Sequence, residues 1–226
     1  MAVVAAQLFQ AAPSFASSFQ VNPVKLSLSP DKATTSLSIG NDTGDEVGIR
    51  VSALRWTQVA GKDVYAPADD LIASPPIFML EPHGKQLIRL GLRRRTPGAA
   101  YRVIVEEIPN EKASGTGIKV ALRLNLPLYI EAETEGAPEL RWSAWQDATG
   151  ATVLQARNDG TAHSQILSIT AMGSDGRQIA ATKDMGVVLP GSARRWTLKT
   201  PTDIPAELVV TSSRGKVRSK VVVEQP

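Results

Sequence analysis

The chain has 226 residues, 42% of them hydrophobic and 21% charged, with a formal net charge of +3 and no cysteine. That length suits one large or two ordinary domains, and the composition is that of a folded globular chain rather than a disordered or fibrous one. Without cysteine, disulfides, thiolate catalysis and cysteine-based zinc sites are excluded. No apolar run reaches the ~18 residues of a membrane-spanning helix, so no membrane insertion is expected. The basic residues are scattered apart from Arg93-Arg94-Arg95. That triplet lacks interleaved aromatics and a recognition helix, so it reads as a solvated turn and no nucleic-acid partner is expected.

Residues 1–18 carry no charge, are apolar from Ala2 to Phe9, and place small residues at Ser14, Ala16 and Ser18. This pattern resembles the hydrophobic and cleavage parts of a secretory signal, although the usual positive start is missing. From Phe19 the pattern becomes strand, turn, strand. "VNPVKLSLSP" alternates and stops at Pro30, and "TTSLSIGNDTGDE" alternates and breaks near Asn41-Asp42-Thr43-Gly44. "EVGIRVSALRWTQV", "KQLIRLGLR" and "AAYRVIVEEIP" extend a first set of strands. No ten-residue window carries a helical period, and short strands separated by Gly, Pro, Asn and Asp turns point to an all-β sandwich.

The longest alternating stretch runs from Gly117 to Ile130. Ile118, Val120, Leu122, Leu124, Leu126, Leu128 and Ile130 fall on one face, because strand side chains alternate with period two. Fully extended, this row would span roughly 40 Å, about twice an ordinary strand of ~5–6 residues. A small core is unsuited to covering all of it. Pro127, which has no N–H to donate, belongs at an edge or a bulge.

Glu131–Glu139 is acidic, small and turn-forming, and marks the domain boundary. Beyond it the pattern restarts with "LRWSAWQ", "ATVLQARNDG", "HSQILSITAM", "RQIAATKDMGVVLP", "ARRWTLK", "AELVVTSSRG" and "KVRSKVVVE". "SSRGK" reads as the turn of a hairpin. The expected division is a leader at 1–18, a first domain at 19–132 and a second at 133–226.

Chemistry finds no foothold in this sequence. His83 and His163 are the only histidines, and neither lies in a metal-ligand spacing. A Gly-x-Ser-x-Gly elbow and a glycine-rich phosphate loop are both missing. Glu106 and Glu107 point to opposite faces of their strand, which is wrong for a carboxylate pair acting on one bond. No enzymatic activity, no cofactor and no metal are expected.

Taken together, "VKLSLSPDKATTSLSIGND", "ASPPIFMLEPHGKQLIRL", "YRVIVEEIP", the long alternating strand and "ARNDGTAHSQI" resemble a periplasmic pilus-assembly chaperone. The order and spacing of these segments carry the resemblance, and "YRVIVEEIP" with "NEKASGTG" is most similar to the archaic, spore-coat-type fimbrial branch. The resemblance implies two immunoglobulin-like β-sandwich domains in a boomerang. It also implies a periplasmic chaperone of the chaperone–usher pathway, which caps fimbrial subunits by donor-strand complementation until an outer-membrane usher takes them. Ile118, Val120, Leu122 and Leu124 become donor-strand residues, whereas Leu126 and Leu128 pack in the chaperone's own core.

The family's carboxylate anchor implies a basic residue at Lys25, and a lysine where this chain has Pro127. Arg102 is the substitute this reading favours, with Arg89 and Arg123 as weaker candidates and a structural ion pair as the competing role for Arg102. Ser74-Pro75-Pro76 resembles a proline pair with a cis bond. Trp56, Trp142, Trp145 and Trp196 are expected in the cores or between domains. Glu131 stands where the family has arginine, so the usual interdomain charge network is not carried over. The alternative from another class is a two-domain surface adhesin or structural binding module. Self-association of the free form stays open.

Overall fold

Strands are the only regular elements in the computed structural model, which describes residues 19–109, 121–132, 136–198 and 203–224. The first ten are β1 (Phe19–Asn22), β2 (Leu26–Leu28), β3 (Thr34–Asn41), β4 (Val47–Val59), β5 (Lys62–Pro67), β6 (Leu71–Ser74), β7 (Ile77–Leu80), β8 (Lys85–Leu92), β9 (Ala100–Ile108) and β10 (Arg123–Ile130). A sheet in the order β1-β3-β8-β6 packs on a second sheet in the order β2-β10-β9-β4-β5, with β7 paired to β4. Alternate residues of both, such as Leu37, Ile39, Ile88, Val103 and Leu128, meet in one core.

The stretch expected as one opening strand is two. β1 pairs with β3, whereas β2 crosses to the other sheet and pairs parallel with β10. The change of sheet falls at the cis Asn22–Pro23 bond, where proline has no N–H to continue a ladder. The second cis bond is Ser74–Pro75, at the proline pair.

The remaining strands are β11 (Leu140–Gln146), β12 (Thr152–Asn158), β13 (Ser164–Met172), β14 (Gln178–Thr182), β15 (Gly186–Val188), β16 (Ala193–Thr197), β17 (Glu207–Ser212) and β18 (Gly215–Val223). "RQIAATKDMGVVLP", expected as one strand, is broken into β14 and β15, which pair with successive parts of β13. A second core collects Trp142, Leu154, Ile169, Trp196, Leu208 and Val210. Trp145 departs from expectation: it is half-buried outside that core, beneath the Arg195 guanidinium 5.1 Å from its ring.

The two sandwiches meet through a third cluster, in which Trp56, Ala100 and Tyr129 of the first pack on Leu189 and Val187 of the second. Gln58 bridges them with both ends of its amide. Its Nε2 donates to the Val187 carbonyl at 2.7 Å, and its Oε1 accepts from the Leu189 N–H at 3.0 Å. Asp63 is the ionic counterpart, accepting from Arg194 Nη1 at 2.6 Å and from Trp56 Nε1 at 3.0 Å. Burial alone would raise the Asp63 carboxyl, but hydrogen bonds from Gln58, Arg194 and Trp56 outweigh it and hold it below the usual value.

Candidate functional site

β10 has a neighbour along its whole length on one side only. β9 pairs with it from Arg123 opposite Glu106 to Tyr129 opposite Ala100. On the other side β2 covers Leu128–Ile130 alone. Among the described residues nothing pairs with that side of Arg123–Pro127.

The ladder also says which backbone groups are left over. Glu107 N–H donates to the Leu122 carbonyl and Ile130 N–H to the Ala99 carbonyl, so the even-numbered residues of β10 bond towards β9. The odd-numbered residues point the other way, as the bond from Glu131 N–H to the Leu28 carbonyl confirms at the far end. Arg123 and Asn125 therefore present N–H and C=O groups outward, whereas Pro127 has only a carbonyl on that side, which the parallel register of β2 pairs with the Leu26 N–H. Proline is tolerated here because the N–H it lacks would have faced the unpaired side.

Burial rises steadily along the apolar row. Leu122 and Leu124 are half-buried, Leu126 is 7% exposed and Leu128 is fully buried. Leu122 and Leu124 line the mouth of the sandwich with Phe19 and Glu107. Ile118 and Val120 lie outside the described residues, so of the four expected donor residues only Leu122 and Leu124 can be placed. The regular strand begins at Arg123, but the Glu107–Leu122 bond carries the ladder one residue further.

Where the paired end of β10 reaches the second sandwich, a cleft of about 560 Å³ opens. Lys25, Tyr129, Ile130 and Glu131 line it from the first sandwich, and His163 and Arg214 from the second. Asn158 shapes the loop that delivers His163. Its Oδ1 accepts from the Glu139 and Gly160 N–H groups, and its Nδ2 donates to the Ala162 carbonyl. A Cβ on Gly160 would sit 2.2 Å from the Ala137 carbonyl oxygen, so only glycine lets the loop close this tightly.

The His163 ring stacks on Tyr129 at 3.6 Å and 4°. Burial, and then the charges of Lys25 and Arg214, push its imidazole down to about 4. Burial also pushes the Tyr129 hydroxyl up to about 12. Both rings are therefore neutral near pH 7.

Lys25 is exposed in the bend before β2, with its Nζ 5.5 Å from the Tyr129 centroid. Arg102 is in no ion pair among the described residues. Its guanidinium lies 3.8 Å from the Trp56 ring centroid, and its buried Nε has no hydrogen-bond partner. A stack of this kind contributes about 0.5–2 kcal/mol. Trp56 in turn packs against Tyr129 at 6.1 Å. Both expected anchors thus flank Tyr129, but only Lys25 lines the cleft.

The weaker candidates lie elsewhere. Arg89 is exposed on β8 in the other sheet, and Arg123 sits 3.8 Å from Glu106 at the end of β10 remote from the cleft. Sequence reasoning missed His163, Arg214, Gln58 and Asp63. Histidine in a turn and a lone glutamine carry no pattern, and only their place between the sandwiches distinguishes them. No group of three or more His, Asp or Glu able to hold a metal occurs among the described residues.

The family described as pili and flagellar-assembly chaperone, PapD N-terminal domain, matches residues 18–133. Among solved structures, the CsuC–CsuE chaperone–tip adhesion subunit complex of archaic Csu pili of Acinetobacter baumannii shares 19% identity and a TM-score of 0.72, covering 92% of this chain and 100% of that one. The SafA pilin–SafB chaperone complex of Salmonella enterica shares 16% identity and a TM-score of 0.63, covering 92% and 97%. The E. coli chaperone DraB shares 15% identity and a TM-score of 0.60, with the same coverage of 92% and 97%. At these identities the likeness fixes the fold of two β-sandwiches. The curated proteins offer no match to this sequence.

Proposed function

Because the chain belongs to the pili and flagellar-assembly chaperone family of PapD, we propose that it caps fimbrial subunits in the periplasm by lending them β10. The carrying observation is the unpaired side of Arg123–Pro127 in a strand whose apolar row emerges from its own core. A partner strand laid there gains main-chain bonds to Arg123 and Asn125, and its sandwich receives the side chains at the emerging end of the row. Leu122, Leu124, Ile118 and Val120 are the donor residues of this reading. Taking such a side chain from full exposure to full burial contributes about 1.5–3 kcal/mol, and Leu122 and Leu124, already half-buried, gain less on entering a subunit groove.

Lys25 and Arg102 are the proposed anchor for the subunit's terminal carboxylate. A charge-assisted bond there sets register, and register decides which side chain meets which pocket. The reading places the domain division at residues 132 and 133. It needs no enzymatic step: the subunit leaves when an outer-membrane usher brings a better-fitting strand.

The test is co-expression with a fimbrial subunit encoded beside this chain. Ile118→Asp with Leu122→Asp should leave the fold intact by circular dichroism and thermal melting, yet lose subunit co-purification. Equal subunit yield from the folded double variant would defeat strand donation.

A further inference from the structure

The cleft at the end of β10 contains a cation that the anchor described above does not use. Arg214 occupies the two-residue turn between β17 and β18 and lines the cleft from the second sandwich, as Lys25 does from the first. Neither side chain is in an ion pair among the described residues. Arg214 has only a long bond of 3.5 Å to the Gly136 carbonyl, so its guanidinium is free to take a stronger acceptor.

Among the described residues the charges that line the cleft do not balance. Glu131 is its one described acidic lining residue, set against Lys25 and Arg214. Stacking on Tyr129 holds His163 in the lining of the same cleft as Lys25 and Arg214. Counted over the described residues, the lining is one negative charge short, between two sandwiches rather than within one.

Its position says what supplies that charge. Tyr129 and Ile130, at the end of β10, line the cleft, and the unpaired side of β10 begins at Pro127. An extended segment paired along that edge delivers its end here. We propose that Arg214 is a positioning residue that joins Lys25 in holding the terminal carboxylate of a polypeptide laid along β10. The inference rests on the strand-lending reading and adds that the anchor spans both sandwiches. A carboxylate between them draws the second sandwich towards the first, so capture and interdomain geometry are coupled.

The probe is the N-acetyl pentapeptide Val-Thr-Val-Thr-Val, prepared as the free acid and as the C-terminal amide, and titrated into the full chain by NMR. The acid should bind about tenfold tighter than the amide, as a charge-assisted contact in a half-open cleft allows. Arg214→Gln should cut that preference about threefold, and Arg214→Lys should restore most of it. Binding of the acid should also raise the His163 titration, and do so less in Arg214→Gln; a merely structural arginine would leave the acid–amide difference alone.

If Lys25→Gln abolishes the preference while Arg214→Gln keeps it whole, the Arg214 assignment is wrong and the strand-lending reading stands. If neither peptide shifts the β10 amides, the reading itself falls, and this inference with it.

Discussion

β10 and β18 occupy equivalent places in the two sandwiches. Each is the last strand of its unit, pairs antiparallel with the strand before it, and meets an early strand in parallel near its own end: β2 at Leu128–Ile130, β11 at Val221–Val223. Each therefore leaves a stretch with one neighbour among the described residues, Arg123–Pro127 in the first and Gly215–Lys220 in the second. Their chemistry differs. Gly215–Lys220 carries Lys216, Arg218 and Lys220 along one side, with Arg218 tied to Glu207 at 2.8 Å. Arg123–Pro127 carries one cation, Arg123, leaning towards Glu106.

Lysine on an edge strand is a standard obstacle to edge-to-edge pairing, because a second strand would have to desolvate it. The second sandwich is defended in this way and the first is not. The same topology thus yields a closed face in one unit and a docking face in the other, decided by a few side chains rather than by the fold.

Removing the defence should give the largest effect. Lys216→Val with Lys220→Val leaves β18 flanked by exposed Val217, and the free protein should pass from monomer to dimer and higher species in sedimentation velocity at micromolar concentration. A variant that stays monomeric would mean that charge is not what separates the two edges.

The converse change acts on β10 alone. Asn125→Pro removes one outward N–H without touching a bond to β9, so thermal stability should hold while subunit affinity falls about five- to tenfold, the loss of one main-chain bond. An unchanged affinity would show that the partner does not pair along this side.

The last effect is on stability against acid, and it marks the side of the molecule that meets the cleft. The His163 imidazole is pushed down to about 4 in the folded protein, whereas an unfolded chain takes the proton near the ordinary value of about 6.5. Stability is complete above about pH 6.5 and falls as pH drops towards 4, because the unfolded state binds the proton first. His163→Phe should flatten that part of the Tm-against-pH curve. A wild-type Tm constant across the window would contradict the buried, cation-flanked setting.

The sequence made the strands and their faces readable, because alternation reports which side of a strand meets the core. Leu126 and Leu128 are buried as expected, and Pro127 stands at an edge. The division of the opening strand at Pro23 was not readable, since "VNPVKLSLSP" alternates on both sides of a residue that can start or stop a strand. The separation of Lys25 from Arg102 was equally hidden. Both fall near Tyr129, but which of them lines the cleft depends on Trp56, which comes from a third strand and captures the guanidinium. His163 and Arg214 were invisible for the same reason: they gain meaning only where the second sandwich closes on the first.

Gln58 has a consequence for how the molecule behaves in different media. Its amide inserts into the main chain at Val187 and Leu189 as a peptide unit would, donating to one residue and accepting from another. This splice carries no formal charge, so added salt, which weakens the Asp63–Arg194 grip by screening, leaves it in force. The neutral bridge is the part of the junction that salt does not weaken, and glutamate at this position would lose the donor and crowd a second anion beside Asp63.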